Sequence, residues 1–191
     1  MIKEGKRLRI PKAFSVTETF QDTKAGKTMI RRAVLQDIPA LMDIYNEAIL
    51  HTTATFDTEV KDMENRKAWF AEHNGRYVIY VDVEDGKVAG YASLSRYRDR
   101  KAFDPAVEIS IYVHKDYRGR GIGRSLMEKV LAYAAECDEI DTVISLITSE
   151  NEASIHLHEV YGFEYCGQIK NAGTKFGRKL SLNAYQILYD R

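Results

Sequence analysis

Apolar residues recur along this chain with two different spacings, and the switches between them outline its elements. After Asp37, the residues Leu41, Ile44, Tyr45, Ala48 and Ile49 line one helical face. Asp37 is placed to cap that helix, and Pro39 falls in its first turn, where a missing N–H costs little. The segment His51-Thr52-Thr53-Ala54-Thr55-Phe56 has neither spacing and is expected to be a loop. A second helix is expected over residues 59–72, with Met63, Trp69 and Phe70 turned inward and Gly75 ending it. Strand patterns follow at 30–33, 77–83, 88–95, 107–113 and 142–147, with Asp85-Gly86 as a hairpin turn between the second and third. Helices are expected over 122–135, with Leu126, Val130 and Leu131 inward, and over 154–160, closed by Gly162. An antiparallel region over 163–189 completes the chain. Antiparallel strands early, then strand–helix–strand, imply a mixed α/β sheet flanked by helices.

The 191 residues, 45% of them apolar, suffice for one domain with its own core. Residues 1–28 stand apart as an N-terminal extension, polar and weakly patterned, with seven Lys/Arg against three Asp/Glu. Either a loose arm or a strap on the domain fits that composition. Periodic structure begins after Met29, itself a candidate alternative start, so residues 29–191 form the expected domain. The balance of 28 basic and 28 acidic residues argues against a dedicated nucleic-acid binder. No apolar run approaches the ~20 residues of a membrane span, and no secretory segment follows the basic start. Cys137 and Cys166 have no metal-like spacing and are expected to be reduced, mostly buried thiols in a cytoplasmic protein.

The chemically telling segment is Val113-His114-Lys115-Asp116-Tyr117-Arg118-Gly119-Arg120-Gly121-Ile122-Gly123. An apolar strand runs into an Arg/Gly-rich turn that opens a helix. Such a turn presents bare backbone N–H groups, the positive end of a helix and the charges of Arg118, Arg120 and Arg124 to a phosphate. The glycine spacing matches neither the dinucleotide fingerprint nor a Walker A loop. A plain tight turn with solvated arginines is the alternative. On the strand before it, Glu108, Ser110 and Tyr112 share one face and Ile109, Ile111 and Val113 the other. Glu108 is thus an acid within an apolar strand. It is either a solvent-boundary position or a general base whose pKa burial would raise.

With these residues in view, the chain resembles the GCN5-related N-acetyltransferases, over roughly residues 29–189. Arg118-Gly119-Arg120-Gly121-Ile122-Gly123 matches the family's Arg/Gln-x-x-Gly-x-Gly/Ala turn, which holds the diphosphate of acetyl-coenzyme A. The phosphinothricin/methionine-sulfoximine acetyltransferase branch is closest. It is matched by Ile44-Tyr45-Asn46, Thr52-Thr53-Ala54-Thr55-Phe56, Gly90-Tyr91-Ala92-Ser93, Tyr97-Arg98-Asp99-Arg100, Asn151-Glu152-Ala153-Ser154, Leu157-His158-Glu159, Gly162-Phe163 and Lys175-Phe176-Gly177. The resemblance implies a mostly antiparallel sheet with splayed parallel strands at the acetyl-CoA site. It implies acetyl transfer to the amine of a small amino acid or analogue, by direct attack in a ternary complex. Acetyltransfer to protein N-termini or polyamines is the alternative, and a non-catalytic acyl-CoA sensor a more distant one.

Residue by residue, the resemblance makes Glu108 the general base and the Val113 amide the oxyanion donor. Ile111 and Val113 would hold the pantetheine arm through the main chain. Arg118, Gly119, Arg120, Gly121, Ile122, Gly123 and Arg124 would anchor the diphosphate. His158 stands where many relatives carry a tyrosine acid; as a plain helix residue it would be satisfied by a backbone carbonyl. Asn151 is either a helix cap or a contact to the pantetheine arm. Phe56, Tyr97 and Arg98 fall near the substrate, and Lys175 and Phe176 near the pocket or the interface of a homodimer. No metal is expected, because His156 and His158, two apart in a helix, point in different directions. No nucleophile elbow or Ser-His-Asp order is visible. The chain departs from the branch at Lys179 and Ser181, where a Trp and an Asp are usual, which implies a pocket that is wider or tuned to another acidic amino acid or amine.

Overall fold

The computed structural model describes the backbone of residues 19–23 and 26–190, with side chains from residue 29 onward. Among these residues, eight strands form one sheet in the order β1-β2-β3-β4-β5-β6-β8-β7. They are β1 (Thr19–Thr23), β2 (Gly26–Arg32), β3 (Val78–Glu84), β4 (Lys87–Arg96), β5 (Ala106–Val113), β6 (Thr142–Thr148), β7 (Glu164–Lys175) and β8 (Arg178–Leu188). The helices are α1 (Ile38–His51), α2 (Met63–Ala71), α3 (Ile122–Glu136) and α4 (Glu152–Val160). Strand pairs are antiparallel except β5 with β6. The hairpin of β1 and β2 begins the sheet within the stretch expected as an extension; residues 1–18 and 24–25 of that stretch lie outside the described residues.

Two cores sit on the two faces of the sheet, as period-two alternation requires. On one face Val78, Tyr80, Ala92, Leu94, Val107 and Ile109 pack with Leu126, Met127, Val130 and Leu131 of α3. On the other, Ile79, Val81, Val83 and Tyr91 pack under Leu41 and Ile44 of α1, with Trp69 and Phe70 of α2 beside them. Covered on both sides, β3 is buried along its whole length. Each fully buried Leu, Ile or Val contributes roughly 1.5–3 kcal/mol of transfer free energy, so this double layer makes the centre of the sheet rigid. The Asp85-Gly86 turn has φ of 48° and 77°, as a tight hairpin of this hand needs.

Three expectations change. The second helix starts at Met63, because the Asp62 carboxylate accepts from the Asn65 N–H at 2.8 Å and caps it there. Its fully buried residue is Arg66, while Met63, Trp69 and Phe70 are half-buried. Cys166 is exposed, because β7 is the edge strand, and Cys137 is half-buried just past α3. The expected parallel strands are there, β5 and β6, joined over only three residue pairs, Ala106↔Thr142 to Glu108↔Ile144. Beyond it β5 and β6 part. Among the described residues, no helix is long and apolar enough to cross a membrane.

Gly90 is where β4, β5 and α3 approach most closely. A Cβ there would lie 2.9 Å from the Tyr112 carbonyl oxygen and 3.0 Å from Ile122 Cγ2. Backbone on one side and core on the other leave no room to yield. Gly90→Ala is expected to lower stability by about 1–3 kcal/mol, the usual cost of overpacking, read as a lower urea midpoint. An unchanged midpoint would show that β5 is free to shift.

Candidate active site

The parting of β5 from β6 turns a strand edge into a binding surface. The Pro105 carbonyl accepts from Thr142 N–H on the β6 side, while His114 N–H bonds to Ala89 O on the β4 side. Period-two alternation then directs the amides of Ile111 and Val113 into the gap. Ile109 to Val113 have no ladder partner on β6, so these polar groups need another partner. The Val113 carbonyl accepts from Arg118 Nε at 3.3 Å.

The glycine turn continues from this edge. Gly119 and Gly121 have φ of 77° and 87°, and no heavy atom lies within 4 Å of where their Cβ atoms would be. Side chains there would be strained and would fill the open cradle. Gly121 O accepts from the amides of Arg124 and Ser125. The earlier amides of α3, including Ile122 and Gly123, are left free as at any helix start. The Ile122 side chain is buried in the core, so only its N–H is available to a ligand. Arg118 pairs with Glu47 at 2.6 Å, and Arg120 with Glu84 at 3.3 Å. Both arginines are about half exposed, 49% and 50%. The guanidinium ends reach solvent while Glu84 is buried and Glu47 largely covered, so a diphosphate at the turn would compete with these carboxylates for the two cations. Arg124 is exposed beside the same helix start. Free amides, cradle and cations fit a diphosphate.

Between the parted strands lies a cavity of about 450 Å³. Glu108, Ser110, Ile111, Tyr112, Ser145 and His158 are on its wall. Burial raises the Glu108 pKa above the ordinary 4.5, opposed by the charge of Arg98. His158 is 3% exposed. Its Nδ1 lies 2.7 Å from Ser154 O, so that nitrogen carries the proton and donates it. Nε2 then accepts from the Ser145 hydroxyl at 2.9 Å. Burial lowers the His158 pKa below 6.5, only partly offset by the Ser154 carbonyl. Asn151 caps α4, its Oδ1 accepting from Ser154 N–H at 3.2 Å, and also lines the cavity. Both of its expected roles are therefore geometrically open to it.

A lid closes the other side. Phe56, from the Thr-rich loop, lines the cavity and lies over Gly173, where a Cβ would fall 2.4 Å from its ring. The loop is tied down on two sides. Lys175, 3% exposed, donates from Nζ to Thr55 O at 2.8 Å. Thr148 Oγ1 donates to Thr53 O at 2.7 Å. An irregularity in β7 between Ile169 and Gly173, with Asn171 at φ 52°, puts Ala172 on the cavity wall.

The remaining expected residues are more dispersed. Tyr97 stacks on Phe103, and Arg98 lies over the Tyr97 ring; neither lines this cavity, and Arg98 reaches Glu108 only through its charge. Lys175 serves the loop from behind, and Phe176 is 54% exposed. Lys179 is exposed, while Ser181 accepts from Asn171 N–H at 3.3 Å. Among the described residues, no group of three or more His, Cys, Asp or Glu could hold a metal ion. Sequence reasoning missed Ser145, which has no motif to flag it, and Arg66. The latter had a signal, a cation at the inward i,i+3 position between Met63 and Trp69.

The acetyltransferase (GNAT) family model matches residues 38–163. The chain is 40% identical to the L-amino acid N-acyltransferase MnaT of Escherichia coli K12, over 84% of this chain and 94% of that protein. It is 39% identical to an L-methionine sulfoximine/L-methionine sulfone acetyltransferase of Salmonella typhimurium, with the same coverage. Among solved structures, a Salmonella typhimurium protein with its cofactor acetyl-CoA superposes with TM-score 0.82 at 38% identity, covering 85% of this chain and 94% of that one. A Sinorhizobium meliloti phosphinothricin acetyltransferase in complex with acetyl-CoA superposes with TM-score 0.79 at 31% identity, covering 85% and 88%.

The neutral state of His158 has a consequence for stability. Its folded pKa lies below 6.5, as does that of half-buried His73. As pH falls below about 6.5 the unfolded chain takes up protons that the folded one refuses, so stability is full above that pH and is lost below it. His158→Asn is expected to flatten the fall in Tm between roughly pH 6.5 and 5, leaving the share due to His73. An unchanged slope would mean that His158 binds its proton equally well in the folded and unfolded chain.

Proposed function

The chain belongs to the acetyltransferase (GNAT) family, and on that premise we propose that it acetylates the amino group of a small amino acid or analogue of the methionine-sulfoximine or phosphinothricin kind. The observation that carries this reading is the tied lid. The 52–57 loop and the β7–β8 hairpin are locked together by Lys175 and by the contact of Phe56 with Gly173. A cavity of about 450 Å³ bounded on one side by this loop suits a small acceptor, whereas a protein chain needs a longer groove. The names of the relatives above support the same acceptor class.

In this reading acetyl-CoA supplies an acetyl group on a thioester, a carbonyl carbon open to attack. The amides and arginines of 118–124 hold its diphosphate, and the main chain at Ile111 and Val113 aligns its pantetheine arm. Glu108 takes the proton of the attacking amine, directly or through water. Burial raises its pKa and so makes its carboxylate a stronger base for that task. The Val113 N–H, aimed into the gap before reaction, donates to the carbonyl oxygen as charge gathers there. The C–S bond breaks as the C–N bond forms, and the coenzyme thiolate leaves to be protonated. His158 is assigned to orient Ser145, since its own proton is committed to Ser154 O. The reading includes a homodimer, supported by apolar Tyr165 and Ile169 exposed on edge strand β7. It also includes a cytoplasmic location, supported by two free thiols.

Thiol release from acetyl-CoA, measured with methionine sulfone, methionine sulfoximine, phosphinothricin, standard amino acids, spermidine and an N-terminal peptide, tests the acceptor class. Turnover confined to the amino acids and analogues is expected; turnover of the peptide alone would overturn it. Glu108→Gln is expected to lower kcat by about 10²–10⁴-fold with acetyl-CoA affinity unchanged. Full activity of that variant near neutral pH would remove Glu108 from the role of base.

A further inference from the structure

A second cavity, of about 340 Å³, lies under α2 and shares Tyr45, Ser110 and Tyr112 with the first. Arg66 is on its wall. This arginine is 4% exposed, and its Nε and Nη2 are buried with no hydrogen-bond partner. What the rest of the side chain has is a hydrogen bond to the Tyr91 hydroxyl and aromatic faces. The guanidinium lies 3.7 Å from the Trp69 ring centre and 4.8 Å from that of Tyr45. Stacking holds the plane of the group but leaves Nε and Nη2 unused.

A buried cation without a counter-charge is costly, and the carboxylates around this cavity are committed or remote. Asp57 pairs with Lys61 at 3.1 Å and accepts from the Tyr45 hydroxyl at 2.8 Å. Glu72 is exposed at the rim. The fork is therefore matched to an anion that comes from outside the chain. The register of β4 and β5 shows where that anion would sit. Ser95 lies opposite Glu108, and Ser93 opposite Ser110. Ser93, Ser95 and Ser110 line the Arg66 cavity, so it begins about one strand spacing (~5 Å) from the proposed base. An acceptor with its amine at Glu108 has its other groups within reach of Arg66.

We propose that Arg66, stacked between Tyr45 and Trp69, is the subsite for an acidic group of the acceptor, a carboxylate or a phosphinate. This rests on the amino-acid reading above and adds the residue that selects an acidic acceptor over a plain amine. The anion comes either from the α-carboxylate or from an acidic side chain; both present the paired oxygens that a guanidinium fork binds. The contact stabilises the bound acceptor before and during reaction alike, so it acts on KM more than on kcat.

The test uses the full-length protein, its Arg66→Met and Arg66→Lys variants, and three acceptors: L-methionine sulfone, its carboxamide, and phosphinothricin. Acetyl-CoA affinity reports whether each variant is folded. Wild type is expected to prefer the sulfone to its amide. In Arg66→Met, kcat/KM for the sulfone should fall about 10- to 100-fold, the loss of a charge-assisted contact, mainly through KM. The amide should be unaffected, and Arg66→Lys should recover part of the loss. A loss on phosphinothricin alone would place the phosphinate, not the α-carboxylate, on Arg66 and would support the anion subsite. Equal losses on sulfone and amide, or none on any acceptor, would make Arg66 a packing residue and overturn the proposal. If Arg66→Met does not fold, equal use of sulfone and amide by wild type overturns it alone. If wild type binds acetyl-CoA but acetylates none of the three, the acceptor class fails first and the subsite with it.

Discussion

The structure turns on a failure of pairing. Two parallel strands, β5 and β6, are joined over Ala106–Glu108 and Thr142–Ile144 and then separate. Backbone groups left inside a protein without partners are expensive, so the gap persists only because rigid layers hold both sides. The double core around β3 and β4 fixes β5 through its antiparallel pairing with β4. On the far side β6 is fixed by seven residue pairs with β8. What remains is a row of main-chain donors aimed at a place where a ligand can satisfy them. The place of the Glu108 carboxylate, the cavity and the glycine turn all follow from this gap, because Glu108 is the last paired residue and the turn begins where β5 ends.

Electrostatics divides along the same line. At the turn the cations are exposed and paired with Glu47 and Glu84, so they carry charge at little desolvation cost. Inside the gap the groups are buried and their proton states are set by desolvation. Glu108 moves up and His158 moves down, each away from the charged form. A weak acid and a neutral imidazole thus face the cavity where an amine must lose a proton. The outer part is cationic and the inner part is desolvated, and five residues of one strand connect them.

The elements were legible wherever a single period governed them. The amphipathic faces of α1 and α3, the Asp85-Gly86 turn and the strand–turn–helix unit at 107–124 all follow from local pattern, because their environment is one-sided. The sequence also showed Glu108 and the glycine turn, an acid among apolar residues and glycines that no packing requires. Tertiary facts were hidden. Nothing in the pattern says that β5 and β6 part after three pairs, since that depends on β8 holding β6 away. Lys175 read as a pocket residue because its motif is near the pocket; in the fold its ammonium turns to the Thr55 carbonyl instead. Arg66 was overlooked for the opposite reason. A charge on a helix is normally taken as solvated, and its inward position was outweighed by the apolar residues around it.

The two buried cations show what distinguishes a structural charge from a binding one. Lys175 has a carbonyl acceptor at 2.8 Å, and burial lowers its pKa while the charge of Asp57 opposes that shift. It can be explained entirely by the loop it fastens. Arg66 carries a buried charge, and aromatic faces and the Tyr91 hydroxyl offset only part of the desolvation cost, leaving Nε and Nη2 unused. The same reasoning recasts the departures at Lys179 and Ser181. Lys179 faces solvent, and Ser181 serves the β7 irregularity, so neither replaces a buried anchor. If selectivity for an acidic acceptor is built into this chain, it lies in α2 against the sheet rather than in the final hairpin, whose part is to hold the lid shut.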